Sequence, residues 1–450
     1  MAGYSVCPLY CTKSHEYMII LELIAPKIKT SDVQFAYKNN FSTTMYSFLV
    51  GETIQYYRNN GSNVFALLLD ASKAFDKVQY TKLFKLLRAR DICPLILRLL
   101  LNMYIVNTAL VIWCNVQSDE FNVKNGVKQG GVPCPHLFTI YVEPLIIDLR
   151  ASKVGCHIGS LISNAFMYAD DIIILSPTLS AMSKLVLICE GYAKEYFLIF
   201  NLDKCYLLIF SDNTHYIINN INIRINGVLV KTVDTERHLG NNLSTKRNIF
   251  EFKDVIVDMK ARTNSIINNF SNISFNSKIM LFNSQCLSLY GAQLWNLRDP
   301  DIDVLGVTWR KCVRYLLGLP YRTSSYILPL LMKTLNIKDI IMERQLNFYV
   351  NMYNHSSVFI NGYIKNSLLS QSSYSVSNIN AIANRYDIAH NEIFHLKKAS
   401  IKRLIQRQQP AEDWRCNVIR EVLHCLDGQM HTCLGKEELK DVLTDVCTYV

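Results

Sequence analysis

Ser163–Leu175 reads SNAFMYADDIIIL. Two acids, Asp170 and Asp171, stand between an apolar run over Ala165–Ala169 and a second over Ile172–Leu175. The second run is β-branched and predicts a strand. Together the two runs predict a β-hairpin with the acid pair at its turn. Adjacent carboxylates repel, and ionised carboxylates beside an apolar sheet are costly unless a cation compensates them. A divalent metal is one such compensator. A solvated Asp-Asp turn is the other reading, since turns favour Asp.

A second stretch, Val64–Val78, reads VFALLLDASKAFDKV. Val64–Leu69 is an unbroken apolar run that predicts a buried strand, and Asp70 ends it. The composition of Ala71–Val78 suits a helix start. An acid at the end of a buried strand is a usual position for a catalytic or metal-binding carboxylate. Strands far apart in sequence can lie side by side in one sheet, so Asp70 and the Asp170–Asp171 pair can converge. Mg²⁺ takes a few carboxylates together with substrate phosphate oxygens. Two such ions can activate a 3′-hydroxyl and stabilise a departing pyrophosphate.

Five stretches then occur in one order: LLLDASKAFDKV, NGVKQGGVPCPHLF, YADD, FNLDKCYLLIF and RHLG. That order resembles the reverse transcriptases of non-LTR (LINE-like) retrotransposons, over about residues 31–245. The resemblance implies an α+β right-hand polymerase. It would have a split βαβ palm sheet covered by two helices, partial fingers and a helical thumb. It implies that Asp70, Asp170 and Asp171 place two Mg²⁺ ions, with Mn²⁺ as a substitute and the Ala71 carbonyl as an extra ligand. The implied substrates are an RNA template, a DNA primer and deoxynucleoside triphosphates.

Further site residues follow from the same resemblance. Ser31–Thr44, SDVQFAYKNNFSTT, is similar to the family's finger motif Q-F-G-F-R, with Lys38 where Arg is usual. Lys38 would hold the triphosphate as a point charge without the bidentate fork of Arg. On residue type alone it is a surface Lys before a loop of Asn. Phe75 would pack against the nucleotide sugar and leave no room for a 2′-hydroxyl; on residue type alone it is a core Phe. Gln129 and Gly130 would contact the incoming nucleotide and the template base, Gly letting backbone approach ligand closely. Lys204 would sit by the leaving pyrophosphate as a general acid or electrostatic clamp, or else is a surface Lys at a strand start. His238-Leu239-Gly240 resembles the primer grip. Val132-Pro133-Cys134 departs from the family pattern, and Pro133 removes an amide donor and stiffens the loop.

Length and composition agree with these expectations. The 450 residues suggest two or three domains, and a hydrophobic share of 50% excludes a disordered chain. A net charge of +10 suits a polyanionic partner. Fourteen Cys without short spacing read as reduced thiols, and no signal sequence is visible, so an intracellular protein of nucleus or cytoplasm is expected. Leu99–Ser118 lacks charge, but polar residues interrupt it. It reads as a buried helix running into a strand, not as a membrane span.

The expected organisation is an unplaced segment 1–30, fingers and palm over 31–245, a helical thumb over 246–330 and a C-terminal helical region over 331–450. Residues 1–30 lack the first finger motifs and an endonuclease, which reads as a truncated copy or partial gene model. Ser367–Ser377 reads as a Ser-rich linker, and His395–Arg407 as a basic amphipathic helix. The Cys and His residues between Cys416 and Cys447 include no C-x2-C pair, so zinc is not the expected reading. Two functions stay open: an active RNA-directed DNA polymerase, and a catalytically impaired nucleic-acid-binding remnant of one.

Overall fold

The structure is a computed structural model. It describes residues 5–6, 14–105, 108–114, 116–127, 131–211, 222–246, 248–369 and 373–407. The chain divides into two compact units, Met1–Leu239 and Gly240–Val450.

The first unit is built on a five-stranded sheet. Its strands are β1 (Val64–Leu69), β2 (Ala165–Tyr168), β3 (Asp171–Ser176), β4 (Tyr206–Phe210) and β5 (Lys231–Thr232). Their spatial order is β5-β4-β1-β3-β2. Strand β1 is buried along its whole length because neighbours pair with it on both sides, which is why it reads as a continuous apolar run. It runs antiparallel to β3 with Ile172 opposite Leu69, and antiparallel to β4 with Tyr206 opposite Leu68. Strand β5 adds in parallel to β4.

Helices flank the sheet: α1 (Thr43–Asn59), α2 (Tyr80–Arg88), α3 (Pro94–Ile105), α4 (Cys134–Ala151) and α5 (Leu179–Tyr196). Ser42 caps α1 and Thr178 caps α5, each by accepting a hydrogen bond from a first-turn amide. Pro135 lies at the second position of α4, where no amide donor is needed. The arrangement is α+β, as expected.

Helix α3 departs from expectation. Only Leu100 and Tyr104 are buried, while Leu95, Leu99 and Ile105 are exposed. The uncharged composition of this stretch therefore does not mean burial.

The second unit is chiefly helical. It begins with β6 (Asn241–Ser244) paired with β7 (Phe250–Glu251), then continues with α6 (Lys253–Asn269), α7 (Phe275–Gln285), α8 (Pro300–Leu316), α9 (Ile337–Tyr353), α10 (Val358–Leu369), α11 (Tyr374–Tyr386) and α12 (Lys398–Arg407). Trp295 stacks on Phe252 with ring centroids 4.2 Å apart. The Trp295 carbonyl accepts hydrogen bonds from the buried side chains of Gln345 and Asn378, each at 2.8 Å. These bonds fix the irregular segment before α8 inside the unit, where its backbone would otherwise lack partners.

The Ser-rich stretch is not a simple linker. Helix α10 runs to Leu369, Ser373 accepts from the Val376 amide, and α11 starts at Tyr374. Its serines are read correctly as helix-capping residues. Helix α12 is amphipathic as expected, with Ile401 and Ile405 buried. The Cys and His residues beyond Arg407 lie outside the described residues.

Gly155 is tightly enclosed. Its φ is +101°, and a Cβ there would lie 2.6 Å from Asn164 Cβ and 2.8 Å from the Leu175 carbonyl oxygen. Asn164 is itself fixed, donating to the carbonyls of Leu149 and Val154. Gly155→Ala should therefore lower unfolding stability by ~2 kcal/mol or more, measured by urea denaturation, because both strain and overlap resist it.

Candidate active site

The site forms where β1 ends beside the turn between β2 and β3. Tyr168 pairs with Asp171, leaving Ala169 and Asp170 as a two-residue turn. Ala169 has φ of +57°, a left-handed conformation that costs an L-residue ~1–2 kcal/mol. The register of β1 with β3, Leu69 opposite Ile172, extended one step places Asp70 opposite Asp171. All three acids thus meet at one end of the sheet, and each is only partly exposed.

The chain after β1 keeps this end open. Asn201 donates to the Asp70 carbonyl and Ser72 donates to the Ile199 carbonyl, both at 2.8 Å. These two bonds frame an antiparallel bridge between Ala71 and Phe200. In such a pair the framed residues turn their own amide and carbonyl to the opposite side. The Ala71 carbonyl therefore points away from Phe200, to the side of the strand on which the acidic turn lies.

The electrostatics follow from crowding. Burial pushes the Asp171 carboxyl up to about 6, and the charges of Asp170 and Asp70 push the same way. Asp170 is also raised, by burial first; a backbone hydrogen bond and Lys204 oppose the rise while Asp70 adds to it. Lys204 Nζ lies 4.0 Å from Asp70 Oδ2, and its side chain is largely exposed. A mobile surface ammonium at that distance compensates the cluster only weakly.

The other expected site residues fall in different settings. Phe75 is half-buried and stacks on Phe138 of α4, with centroids 4.4 Å apart. Its carbonyl accepts from the Val127 amide, and Gly126 donates to the Val78 carbonyl. Gly126 fits against Asp76 because a Cβ there would approach Asp76 Cα to 3.0 Å. The NGVKQGG segment is thereby brought to the AFDKV turn. Gln129 and Gly130 lie outside the described residues.

Lys38 is turned inward. Its ammonium donates to the carbonyls of Thr30 at 3.0 Å and Ser31 at 2.5 Å, and lies 5.0 Å from the Phe41 ring centroid. Burial lowers its pKa to about 8, while Glu143 and Asp32 act to raise it. Contact with a triphosphate requires the side chain to leave those carbonyls. His238 ends a short strand, Thr235–His238, and its Nε2 lies 2.9 Å from the Tyr46 hydroxyl of α1. Leu239 and Gly240 follow in left-handed conformations.

Two neighbouring residues escaped the sequence reading. Tyr37 is 45% exposed with φ of +58°; burial and then the charge of Asp170 raise its pKa. Glu143 is buried in α4 and accepts from the Ser31 amide at 2.7 Å, fastening the finger segment to the palm. The available signals were an aromatic inside QFAYK and a lone acid in an apolar helix.

Among the described residues, no group of three or more His, Cys, Asp or Glu is placed to hold a metal ion by itself. The chemistry of the donors nevertheless fits a hard divalent cation: carboxylate oxygens, with a backbone carbonyl turned to the same side. Their upward pKa displacement reflects a local shortage of positive charge.

Residues 8–240 match the family described as reverse transcriptase (RNA-dependent DNA polymerase). The chain belongs to that family. The relatives of this reverse transcriptase include the retrovirus-related Pol polyprotein from type-2 retrotransposable element R2DM of Drosophila melanogaster, 30% identical over 138 residues. They also include the transposon TX1 uncharacterized 149 kDa protein of Xenopus laevis, 26% identical over 190 residues. The matches cover 31% and 40% of this chain but only 13% and 14% of those relatives. Both are transposable-element proteins, in keeping with the non-LTR resemblance. Among solved structures, telomerase from Candida albicans in complex with a TWJ fragment of telomeric RNA has a TM-score of 0.41 at 11% identity, covering 85% of this chain and 56% of that one. Apo telomerase from Candida tropicalis gives 0.41 at 11%, covering 87% and 60%. Among the described residues, no helix is long and apolar enough to cross a membrane.

Removing one charge should relieve the repulsion. A carboxyl whose folded pKa is raised stabilises the fold at pH below its unfolded value and loses that stability as pH rises through the folded value. For Asp171 the window runs from near 4 to about 6. Asp171→Asn should therefore raise Tm at pH 7.5 without divalent ions by ~2 °C or more, and leave it unchanged near pH 3.5. Calorimetry at the two pH values checks this.

Proposed function

We propose that this reverse transcriptase is the RNA-directed DNA polymerase portion of a non-LTR retrotransposon protein. It would extend a DNA 3′-hydroxyl on an RNA template with deoxynucleoside triphosphates. The observation that carries the reading is the convergence of Asp70, Asp170 and Asp171 at one end of the sheet.

Asp70, Asp170 and Asp171, with the Ala71 carbonyl, would hold two Mg²⁺ ions. Bound there, the ions would supply Lewis-acid activation of the hydroxyl and charge stabilisation for the pyrophosphate. The chain's own residues do the rest. The paired strands hold the carboxylates in place before substrate arrives, so little reorganisation is needed during reaction. Lys204 sits beside Asp70 and can meet the charge developing on the leaving group. Phe75, held flat on Phe138, presents a rigid edge to the sugar of the incoming nucleotide. Gln129 and Gly130 would contact that nucleotide and the template base. Lys38 would reach the triphosphate after leaving its two carbonyl partners. Contacts to phosphate and sugar position a strand without reading its sequence, so template choice must come from elsewhere.

The inward turn of Lys38 favours a second reading, a remnant that binds nucleic acid without extending it. Primer extension on an RNA template with Mg²⁺, and then Mn²⁺, separates the two. Under the first reading Asp170→Asn should reduce extension by about a thousandfold, equal to ~4 kcal/mol of barrier. Under the second there is no extension, and salt-sensitive RNA binding is the same with and without the substitution.

Phe75 offers an independent test. Phe75→Val should increase ribonucleotide incorporation relative to deoxyribonucleotide by about 10-fold or more, the scale on which a shaped apolar wall discriminates one small group. An unchanged ratio in single-nucleotide kinetics would remove Phe75 from the sugar contact.

A further inference from the structure

The second unit contains a cavity of about 620 Å³ between α8, the start of α9 and the loop before it. That volume is within the ~300–1,000 Å³ range of small-molecule sites. Asp303, Gly306, Val307 and Arg310 repeat at helical spacing along one face of α8 and form one wall. Gly306 leaves the wall hollow, since a Cβ there would lie 3.5 Å from Arg310 Nη1 and 3.8 Å from Ile337 Cγ2. Val307, Pro329 and Leu330 provide apolar lining.

Most of the polar groups around the cavity already have partners. Lys338 pairs with Asp303 at 3.6 Å. Arg385 pairs with Asp339 at 2.8 Å, and the same carboxylate accepts from the Tyr386 hydroxyl at 2.7 Å. Asn336 caps α9 through the Asp339 amide. Ser325 accepts from Arg314.

Three groups remain uncommitted. The indole of Trp309 is 1% exposed, and its Nε1 donor is buried without a hydrogen-bond partner among the described residues. A native protein rarely leaves such a donor unmet, because it costs ~1–3 kcal/mol. Arg310 makes no hydrogen bond or ion pair among the described residues. Tyr326 stands at the edge of the cavity with 69% of its surface exposed.

We propose that this cavity is a nucleotide-binding site, separate from the polymerase centre. Its ligand is a flat heteroaromatic base carrying a phosphate. The base would lie on the apolar lining against the Tyr326 ring, an arrangement that tolerates any base because every base has a π-face. The Trp309 N–H would donate to an acceptor on the base edge. The Arg310 guanidinium matches a phosphate bidentately. The ligand's source is either a free nucleotide or an unpaired residue of a single-stranded RNA. Only the second source rests on the polymerase reading given above.

The test uses the full chain in EDTA with no primer. Isothermal titration with the four ribonucleoside 5′-monophosphates should give saturable one-to-one binding for at least one. Tyr326→Ala and Arg310→Ala should each weaken it about 10-fold, or ~1.4 kcal/mol. Trp309→Phe, which removes the donor and keeps most of the ring, should weaken it about 5-fold. Should Trp309→Phe fail to fold, the two less buried variants still decide the matter.

Ribose 5-phosphate binding as tightly as the nucleotide would overturn the proposal, as would no saturable binding, or variants that bind like wild type. A seven-residue uridine RNA and the same strand with one abasic position identify the source. Weaker binding of the abasic strand assigns an RNA residue. Equal binding of the two strands, with the monophosphate still bound, assigns a free nucleotide. Asp170→Asn should bind as wild type does. A chain that binds here but extends no primer sinks the polymerase reading alone.

Discussion

Mutual repulsion among Asp70, Asp170 and Asp171 is the constraint around which the first unit is arranged. Left to themselves, three carboxylates at the rim of an apolar sheet would separate into water. They stay together because strands buried along their length cannot slide without turning apolar faces outward. The left-handed Ala169 adds backbone strain at the same point. Strain and charge crowding of this kind persist only where the surrounding structure determines them, and they concentrate at functional sites. The upward shift of Asp171 is the chemical trace of that arrangement.

Supports for this rim come from far along the chain. Segment 33–35 bonds to Met167 in β2, the Glu143 side chain holds the Ser31 amide, and the Tyr46 hydroxyl bridges toward His238. None of these groups carries chemistry itself. They fix the edges of the hairpin whose turn bears the acids.

The acid-bearing core was legible from sequence because each part had a strong local signature. The continuous apolar run before Asp70 and the β-branched run after Asp171 follow directly from strands paired on both sides. What could not be read were the partnerships of single long side chains. Lys38 has the charge for a phosphate, yet its ammonium satisfies two local carbonyls, a choice that spacing does not reveal. Leu95 and Leu99 have the composition of core residues but face solvent, since composition alone does not fix which side of a helix is covered. The serines near Ser373 suggested a loop, whereas a hydroxyl at that position serves a helix start equally well. The unmet indole of Trp309 in the second unit has no sequence signal at all, because it depends on what fails to lie beside it.

Both borders of the five-stranded sheet are occupied by short pieces of chain. On one side, Lys231 and Thr232 align beside β4 for two residues only. On the other, Val33–Phe35 exchanges backbone hydrogen bonds with Met167. A sheet finished in this way offers no long row of open amides to a second copy, and an exposed lysine on the outer piece further discourages docking. An enzyme with so apolar a central layer can therefore be concentrated without polymerising through its own strands.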